Sequence, residues 1–258
     1  MMIMMNFPSA DLTGRAAIVT GSSKGIGFGM ACALAHAGAD IVVVSRNLKE
    51  GEQAAEEIRG LGRKAIAVSC DVTVPASIDA MVVKSLEAYG KIDVLVNNAG
   101  MNIRKASVDF SEAEWDTVVD TNLKGIFLVA QRVGREMIRQ KSGKIINIAS
   151  IFGMVGTPML PLYCASKGGI VQLTKCLATE WAQHNVLVNA IGPAYIRTPM
   201  TEGWLTDKER LDYILSMTPM KRLGTLEDLA GPVVFLASDW SNYVTGHTLM
   251  VDGGWVAR

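Results

Sequence analysis

Ala16-Ala17-Ile18-Val19-Thr20-Gly21-Ser22-Ser23-Lys24-Gly25-Ile26-Gly27 is the stretch on which the fold turns. Residues 16–20 form a short, nearly continuous apolar run, the pattern of a strand buried on both faces. Glycines follow at G-x3-G-x-G spacing, and beyond them Met30, Leu34 and Ala37 share one helix face. A strand that passes through glycines into a helix brings free N–H groups and close backbone approach to one point, which suits a pyrophosphate. Gly21, Gly25 and Gly27, together with Ser23, Lys24 and Ile26, are therefore expected to hold the phosphates of a dinucleotide. The alternative is that the glycines only turn the chain.

The same alternation continues outward. Runs rich in β-branched residues at 41–45, 65–68, 94–97, 144–149, 186–191 and 248–251 are separated by longer amphipathic stretches, one of which carries Ile78, Val82, Leu86 and Tyr89 on a single face. Strand and helix in turn predict βαβ units, so the expected fold is α/β: a single-domain, doubly wound (Rossmann) parallel sheet of about seven strands with helices on both faces. No linker, charge block or repeat divides the 258 residues, and 1–258 is read as one dinucleotide-binding domain.

Lys+Arg and Asp+Glu stand at 25 each, which leaves no broad positive field for nucleic acid. A small, locally contacted ligand fits this balance better. No run approaches the roughly 18 apolar residues of a membrane span. The start, Met1 to Phe7, lacks the basic region and apolar core of a signal peptide, so the reading is a cytoplasmic protein with no membrane partner. Cys32, Cys70, Cys164 and Cys176, and His36, His184 and His247, show no metal-ligand spacing; the cysteines are read as buried thiols and no metal is expected.

Cofactor choice turns on the end of the second strand. A carboxylate there would accept from the ribose 2′-hydroxyl of NAD and repel the 2′-phosphate of NADP. The chain reads Val44-Ser45-Arg46-Asn47, without an acid, and Lys24 adds a second cation. Two cations and the Ser45 hydroxyl suit a phosphate, so NADP (NADPH) is preferred and NAD remains possible. Arg46 could also be a solvated loop cation. Asp71 and Val72, just past the third strand, fit the adenine side, although Asp71 serves equally well as an exposed loop aspartate.

Chemistry gathers at Ser150, Tyr163 and Lys167. Ser150 ends the fifth strand, at the sheet edge where open α/β folds bind ligands, and Tyr163 and Lys167 lie four residues apart on the following helix and share a face. Reduction of a ketone needs hydride at carbon and a proton at oxygen. Tyr163 is the expected acid, Ser150 holds the oxygen, and Lys167 shifts the phenol. Moving a phenol from about 10 to about 7 takes roughly 4 kcal/mol. An ammonium at about 4.5 Å supplies roughly that at an effective dielectric of about 20, with desolvation opposing and the positive nicotinamide helping.

Taken together, Thr20 to Gly27, Asn97-Asn98-Ala99-Gly100 and the Ser150, Tyr163, Lys167 pattern resemble the short-chain dehydrogenase/reductase family over nearly the whole chain. The resemblance implies that Asn122, within Asp120 to Gly125, is a fourth catalytic residue whose helix holds a water relaying protons to Lys167. It further implies that Asn98, Ala99, Gly100 and Pro193 line the cofactor along with Ser45, Arg46 and Asn47, that Lys167 binds the nicotinamide ribose beside Tyr163, that Ile196 and Thr198 meet the carboxamide, and that the assembly is a homotetramer. Where the family carries Pro-Gly, this chain has Pro193-Ala194, which narrows the permitted backbone of the nicotinamide loop. Asn102 to Lys105, Gly246 to Leu249 and Val251 to Trp255 look closest to the branch acting on sugar acids, such as gluconate 5-dehydrogenase.

The substrate itself is written less clearly. Phe152, Met154, Tyr195 and Trp204 could wall an apolar pocket or simply pack, and Arg104 could pair with a substrate carboxylate or be a solvated arginine. Residues 193–219 read as a substrate loop with short helices, including Thr198-Pro199-Met200. Ile170, Val171, Leu173, Leu177 and Trp181 make an apolar surface wider than one core stripe, which is taken as a subunit-packing face, with Trp255 to Arg258 near it. The expected partner is a small carbonyl or alcohol, leaning to a keto-sugar acid or polyol. Alternatives are a 3-oxoacyl thioester or a small ketone, and, in another class, a non-catalytic dinucleotide-binding module, whose mark would be loss of Ser150, Tyr163 or Lys167.

Overall fold

The computed structural model describes residues 7–203 and 205–258, apart from the side chains of Pro199 and Met200; Met1 to Asn6 and Trp204 lie outside the described residues. Seven strands form one sheet: β1 (Ala16–Thr20), β2 (Asp40–Ser45), β3 (Ala65–Ser69), β4 (Val94–Asn97), β5 (Gly143–Ile148), β6 (Val186–Pro193) and β7 (Thr248–Val251). Their order is β3-β2-β1-β4-β5-β6-β7, every neighbouring pair parallel. The expected doubly wound α/β sheet is the one observed. Strand order reverses between β1 and β4, which opens a crevice at the carboxyl edge where both winding directions diverge.

Alternate residues of each strand feed opposite layers. Ala17, Val19, Ile41, Val43, Val94, Val96, Ile146 and Ile148 pack against α1 (Gly25–His36), α2 (Leu48–Gly60) and α9 (Ala230–Ala237). Ile18, Val42, Val44, Leu95, Ile145 and Val188 pack against α3 (Pro75–Tyr89), α5 (Gly125–Gln140) and α6 (Pro161–Trp181). Each fully buried Val, Leu or Ile contributes about 1.5–3 kcal/mol, and burial on both faces explains why the strands lack an alternating polar pattern. Met30 and Leu34 are buried as expected, while Ala37 serves as the last-turn cap of α1.

Local signals set the helix ends. Asn47 caps α2 by accepting from the N–H groups of Lys49 and Glu50, and Ser111 with Glu114 forms a capping box at the start of α4 (Glu112–Val119). Pro75 and Pro161 open α3 and α6 at positions that need no N–H donor. Between α4 and α5 the chain widens into a π-helical turn, Asp120–Lys124. Residues 193–219 carry two short helices, α7 (Pro199–Glu202) and α8 (Lys208–Met217).

Two expectations fail here. Ile170, Val171, Leu177 and Trp181 are buried inside the chain itself, and Leu173 is packed against the same clusters, so they are not a free face. Gly134 on α5 makes this possible: a Cβ there would meet the Trp181 ring at 2.7 Å. Exposed apolar side chains lie instead on α4 and α5, at Trp115 and Phe127. Of the four cysteines, only Cys70 is buried; Cys32 and Cys164 are half-buried and Cys176 is exposed, all as free thiols. Among the described residues no helix is long and apolar enough to cross a membrane, and no group of three or more His, Cys, Asp or Glu is placed to hold a metal.

Candidate active site

The glycine loop sits at the carboxyl end of β1. Gly21 and Gly25 have φ of 64° and 62°, a region that strains any other L-residue. A Cβ on Gly27 would stand 2.4 Å from the Gly21 carbonyl and 2.5 Å from Asn98 Nδ2, so the third glycine is fixed by close approach. Lys24, the N-cap of α1, makes no side-chain capping bond, which leaves the first N–H groups of that helix for a ligand. In front of Gly25 the nearest group is Thr198, 4.0 Å from where a Cβ would be. This is the space and the donor set that a pyrophosphate requires, so the residues present fit a dinucleotide.

The loop is clamped by the end of β4. Thr20 Oγ1 accepts from the N–H groups of Asn98 and Ala99 at 2.9 and 3.0 Å, and Asn98 Nδ2 donates to the carbonyls of Thr20 and Gly21 at 2.9 and 3.1 Å. The Asn98 amide thus serves the loop itself. Thr20 opens the glycine motif read from the sequence, and the structure gives its hydroxyl this clamping role.

At the adenosine end, Ser45 Oγ donates to Ser23 Oγ at 3.3 Å and accepts from the Asn47 N–H at 3.2 Å. Asn47, expected among the cofactor-lining residues, also caps α2. Arg46 is exposed, and its charge reaches Asp71, whose carboxyl lies below the usual range. Hydrogen bonds from Thr73 are the main cause and Arg46 adds to them. Thr73 donates to Asp71 Oδ1 through both its N–H (2.9 Å) and its hydroxyl (2.7 Å). An acid also stands in this neighbourhood: Glu50, from the first turn of α2, lies 3.5 Å from Lys24 Nζ. It stands three residues past the Asn47 N-cap, the N-cap/N3 spacing of a helix start, which could have revealed it.

Ser150, Tyr163 and Lys167 meet beyond β5. Ser150 is buried, accepts from the Phe152 N–H at 3.2 Å, and hydrogen-bonds with the Tyr163 phenol. Lys167 Nζ donates to the Ile148 carbonyl at 2.6 Å and lies 5.5 Å from the centre of the Tyr163 ring. Burial raises the Tyr163 phenol above 10, opposed by the Ser150 bond, and burial alone lowers Lys167 to about 8. The expected downward shift of the phenol by Lys167 is therefore not found: desolvation disfavours both charged forms, and the ammonium gives its bond to a carbonyl.

Asn122 occupies the π-helical turn and is fully buried. It accepts from the Met101 N–H at 2.8 Å, and its Nδ2 donates to the Met101 carbonyl (2.8 Å) and to Ser166 Oγ (3.2 Å). One side chain thereby ties the segment after β4 to the helix bearing Tyr163 and Lys167. Such extra-wide turns are frequent at functional sites.

The wall opposite is aromatic. Tyr195 meets Phe152 edge-on at 6.0 Å and Trp255 at 5.3 Å. Trp255, read from the sequence as a subunit contact, is buried in this cluster together with Leu205 and Ile214 from the 193–219 segment. Met154 is exposed and Trp204 lies outside the described residues. Burial raises the Tyr195 phenol, while Arg104 and Arg210 lower it, so both cations act at this wall. The segment bearing Arg104 is held there by a 2.9 Å bond from the Lys105 N–H to the Met159 carbonyl. Ala194 keeps a negative φ and donates from its N–H to the Val251 carbonyl at 3.2 Å, so the nicotinamide loop takes a backbone that alanine adopts without strain.

Comparison with known proteins matches this geometry to a family. The family profile described as enoyl-(acyl carrier protein) reductase matches residues 21–256. The chain belongs to the short-chain dehydrogenase/reductase family. It is 44% identical over 249 residues to 2-dehydro-3-deoxy-D-gluconate 5-dehydrogenase of Dickeya dadantii, covering 96% of this chain and 98% of that protein. It is 40% identical to a 3-oxoacyl-acyl-carrier-protein reductase of Staphylococcus epidermidis, over 93% of this chain and 98% of that one. The crystal structure of a gluconate 5-dehydrogenase from Burkholderia cenocepacia, in complex with NADP and tartrate, superposes with a TM-score of 0.93 at 37% identity, covering 96% and 98% of the two chains. As a short-chain dehydrogenase/reductase this protein is an NAD(P)-dependent oxidoreductase acting on CH–OH groups.

Proposed function

We propose that this enzyme interconverts a keto-sugar acid of the gluconate class and its secondary alcohol, with NADP(H) preferred. The observation that carries the substrate class is the positive charge at Tyr195: Arg104 lowers that phenol, as does Arg210, which is ion-paired to Asp207 at 3.4 Å, and Tyr195 packs in one cluster with Tyr163. A carboxylate on the substrate finds a counter-charge there, and guanidinium groups match carboxylates in geometry. The names of the relatives support the same class.

The nicotinamide cofactor, when bound, supplies or accepts the hydride. Tyr163 protonates the carbonyl oxygen during reduction, and Ser150 holds that oxygen by a hydrogen bond. A phenol kept protonated by burial is in the state that reduction needs. Lys167 positions the nicotinamide ribose beside Tyr163, and Asn122 holds the intervening turn for a proton-relaying water. Gly21, Ser23, Lys24, Gly25, Ile26 and Gly27 bind the pyrophosphate and its flank. Ser45, Arg46, Asn47, Asp71 and Val72 line the adenosine, and Asn98, Ala99, Gly100, Pro193, Ile196 and Thr198 the nicotinamide half. The whole chain acts as one domain, in the cytoplasm, as a homotetramer, and the exposed Trp115 and Phe127 supply an apolar surface for that assembly.

A second reading, reduction of a 3-oxoacyl thioester, is favoured by the Staphylococcus relative and by the apolar Phe152, Tyr195 and Trp255 wall. Oxidation of NADPH against a panel of keto-acids, keto-sugars and acyl thioesters separates the two. Turnover of 5-keto hexonates well above that of thioesters is expected, with Arg104→Met raising KM for the keto-acid about tenfold or more. Preferential turnover of thioesters, or a KM indifferent to Arg104, would overturn the sugar-acid assignment.

A further inference from the structure

We infer that Glu50 sets the balance between NADP and NAD by competing with the 2′-phosphate for Lys24. This rests on the dinucleotide reading of the glycine loop. The end of β2 offers no acid in sequence, yet the fold supplies one. Glu50 is the third residue of α2, whose N-cap is Asn47, so its side chain returns toward the end of β2. Its Oε2 lies 3.5 Å from Lys24 Nζ and accepts from Ser23 Oγ at 3.5 Å, and its Oε1 accepts from Asn47 Nδ2 at 3.2 Å. Ser23 in turn accepts from Ser45. One carboxylate therefore touches Lys24, Ser23 and Asn47 and reaches Ser45 through Ser23, so it contacts one of the groups expected to meet a 2′-phosphate and approaches another. The charge of Arg46 acts on Asp71.

A phosphate brought beside Lys24 must share the ammonium with Glu50 and sit near a second negative charge. Both effects weaken NADP and leave NAD unaffected, because a 2′-hydroxyl is neutral. The side chains of the pair are 65% and 42% exposed, so solvent and salt screen the competition to a few-fold change in affinity. Glu50 in this role keeps a basic loop open to both cofactors instead of committing it to one.

Calorimetric titration of wild type and Glu50→Gln with 2′,5′-ADP and with 5′-AMP tests the inference. Glutamine removes the charge at nearly the same shape: its carbonyl oxygen can still accept from Asn47 Nδ2, while its NH2 can donate to the Ser23 hydroxyl in place of the bond that the carboxylate accepts. The variant should bind 2′,5′-ADP about three- to tenfold more tightly, with a steeper loss on adding salt, and 5′-AMP within about twofold of wild type. Lys24→Met should then cost more 2′,5′-ADP affinity in the Glu50→Gln background than in wild type. An unchanged affinity for 2′,5′-ADP, an equal gain for both nucleotides, or equal Lys24→Met losses in the two backgrounds overturns the role of Glu50. A wild type that binds 5′-AMP as tightly as 2′,5′-ADP would instead remove the NADP preference, a separate result read from the same titrations.

Discussion

Lys167 Nζ stands 5.5 Å from the centre of the Tyr163 ring and gives its 2.6 Å hydrogen bond to the Ile148 carbonyl. The two residues share a helix face, yet burial pushes each toward its neutral form, raising the phenol and lowering the lysine to about 8. The site thus holds a protonated acid beside an amine whose pKa is lowered to about 8. Proximity on a helix brings the partners together, and desolvation decides their charge.

The lysine carries a stability signature. Its folded pKa, about 8, lies below the 10.5 of an exposed lysine, so between these values the unfolded chain binds more protons and stability rises with pH. Below that window the buried charge exerts its full penalty. Lys167→Met should therefore be more stable than wild type at pH 7 by about 1–3 kcal/mol, while losing most activity. The gap should narrow as pH is raised from 8 toward 10. Calorimetric melting at the two pH values checks this, and a variant less stable at pH 7 would mean that the bond to Ile148 outweighs the burial.

Tyr163 should remain a phenol through neutral pH in the ligand-free protein. Ultraviolet difference titration, wild type against Tyr163→Phe, should show no ionisation of this residue below its ordinary value of 10. The same substitution keeps the ring and removes the proton donor, so reduction should slow by about a hundred- to ten-thousand-fold with KM nearly constant. Equal turnover in the two proteins would remove Tyr163 from the chemistry.

What could be read from the chain follows a physical division. Strands at 16–20 and 94–97 were legible to the residue, because burial on both faces writes itself as a local apolar run, and the half-buried edge strand at 248–251 was legible from its short apolar run alone. β6 extends two residues beyond its expected end, to Pro193, because pairing with Val251 continues there. The π-helical turn at Asp120–Lys124 has no compositional mark, being one extra residue in an otherwise helical stretch. The bond of Asn122 to Met101 and the approach of Glu50 to Lys24 join segments 21 and 26 residues apart, and such pairs are fixed only by packing. The apolar face of α6 was misjudged for the same reason, since its cover is α5 and the Gly134 notch.

Asn122 should matter to the fold as well as to the site. Removing its side chain by Asn122→Ala strands the Met101 N–H and carbonyl in a buried setting, and each orphaned group costs about 1–3 kcal/mol. A drop in stability of about 2–4 kcal/mol is expected in urea unfolding, with an unchanged m-value. Asn122→Asp should be worse at pH 7 than at pH 5, because a carboxylate there is buried with the Met101 carbonyl as an unfavourable neighbour. Stability of Asn122→Ala within about 0.5 kcal/mol of wild type would show that water replaces the amide without loss.

Gly27 separates a packing role from a binding role in the loop. Its missing Cβ leaves room for the Gly21 carbonyl and the Asn98 amide, at 2.4 and 2.5 Å from the position a methyl would take, and the first of these is backbone that cannot rotate away. Its φ is not in the left-handed region, so strain in Gly27→Ala comes from contact alone. Relief requires moving α1 away from the β1 end, which also displaces the N–H groups that face the dinucleotide. Gly27→Ala should therefore lose NADPH affinity by at least tenfold in a fluorescence titration, alongside a stability loss of about 1–3 kcal/mol. Gly62→Ala serves as the counter-test: its φ is 82° and no atom lies within 4 Å of its added methyl. It should destabilise through backbone strain and leave NADPH binding intact, so a matching loss of affinity in both variants would mean that the effect at Gly27 is global and not local to the loop.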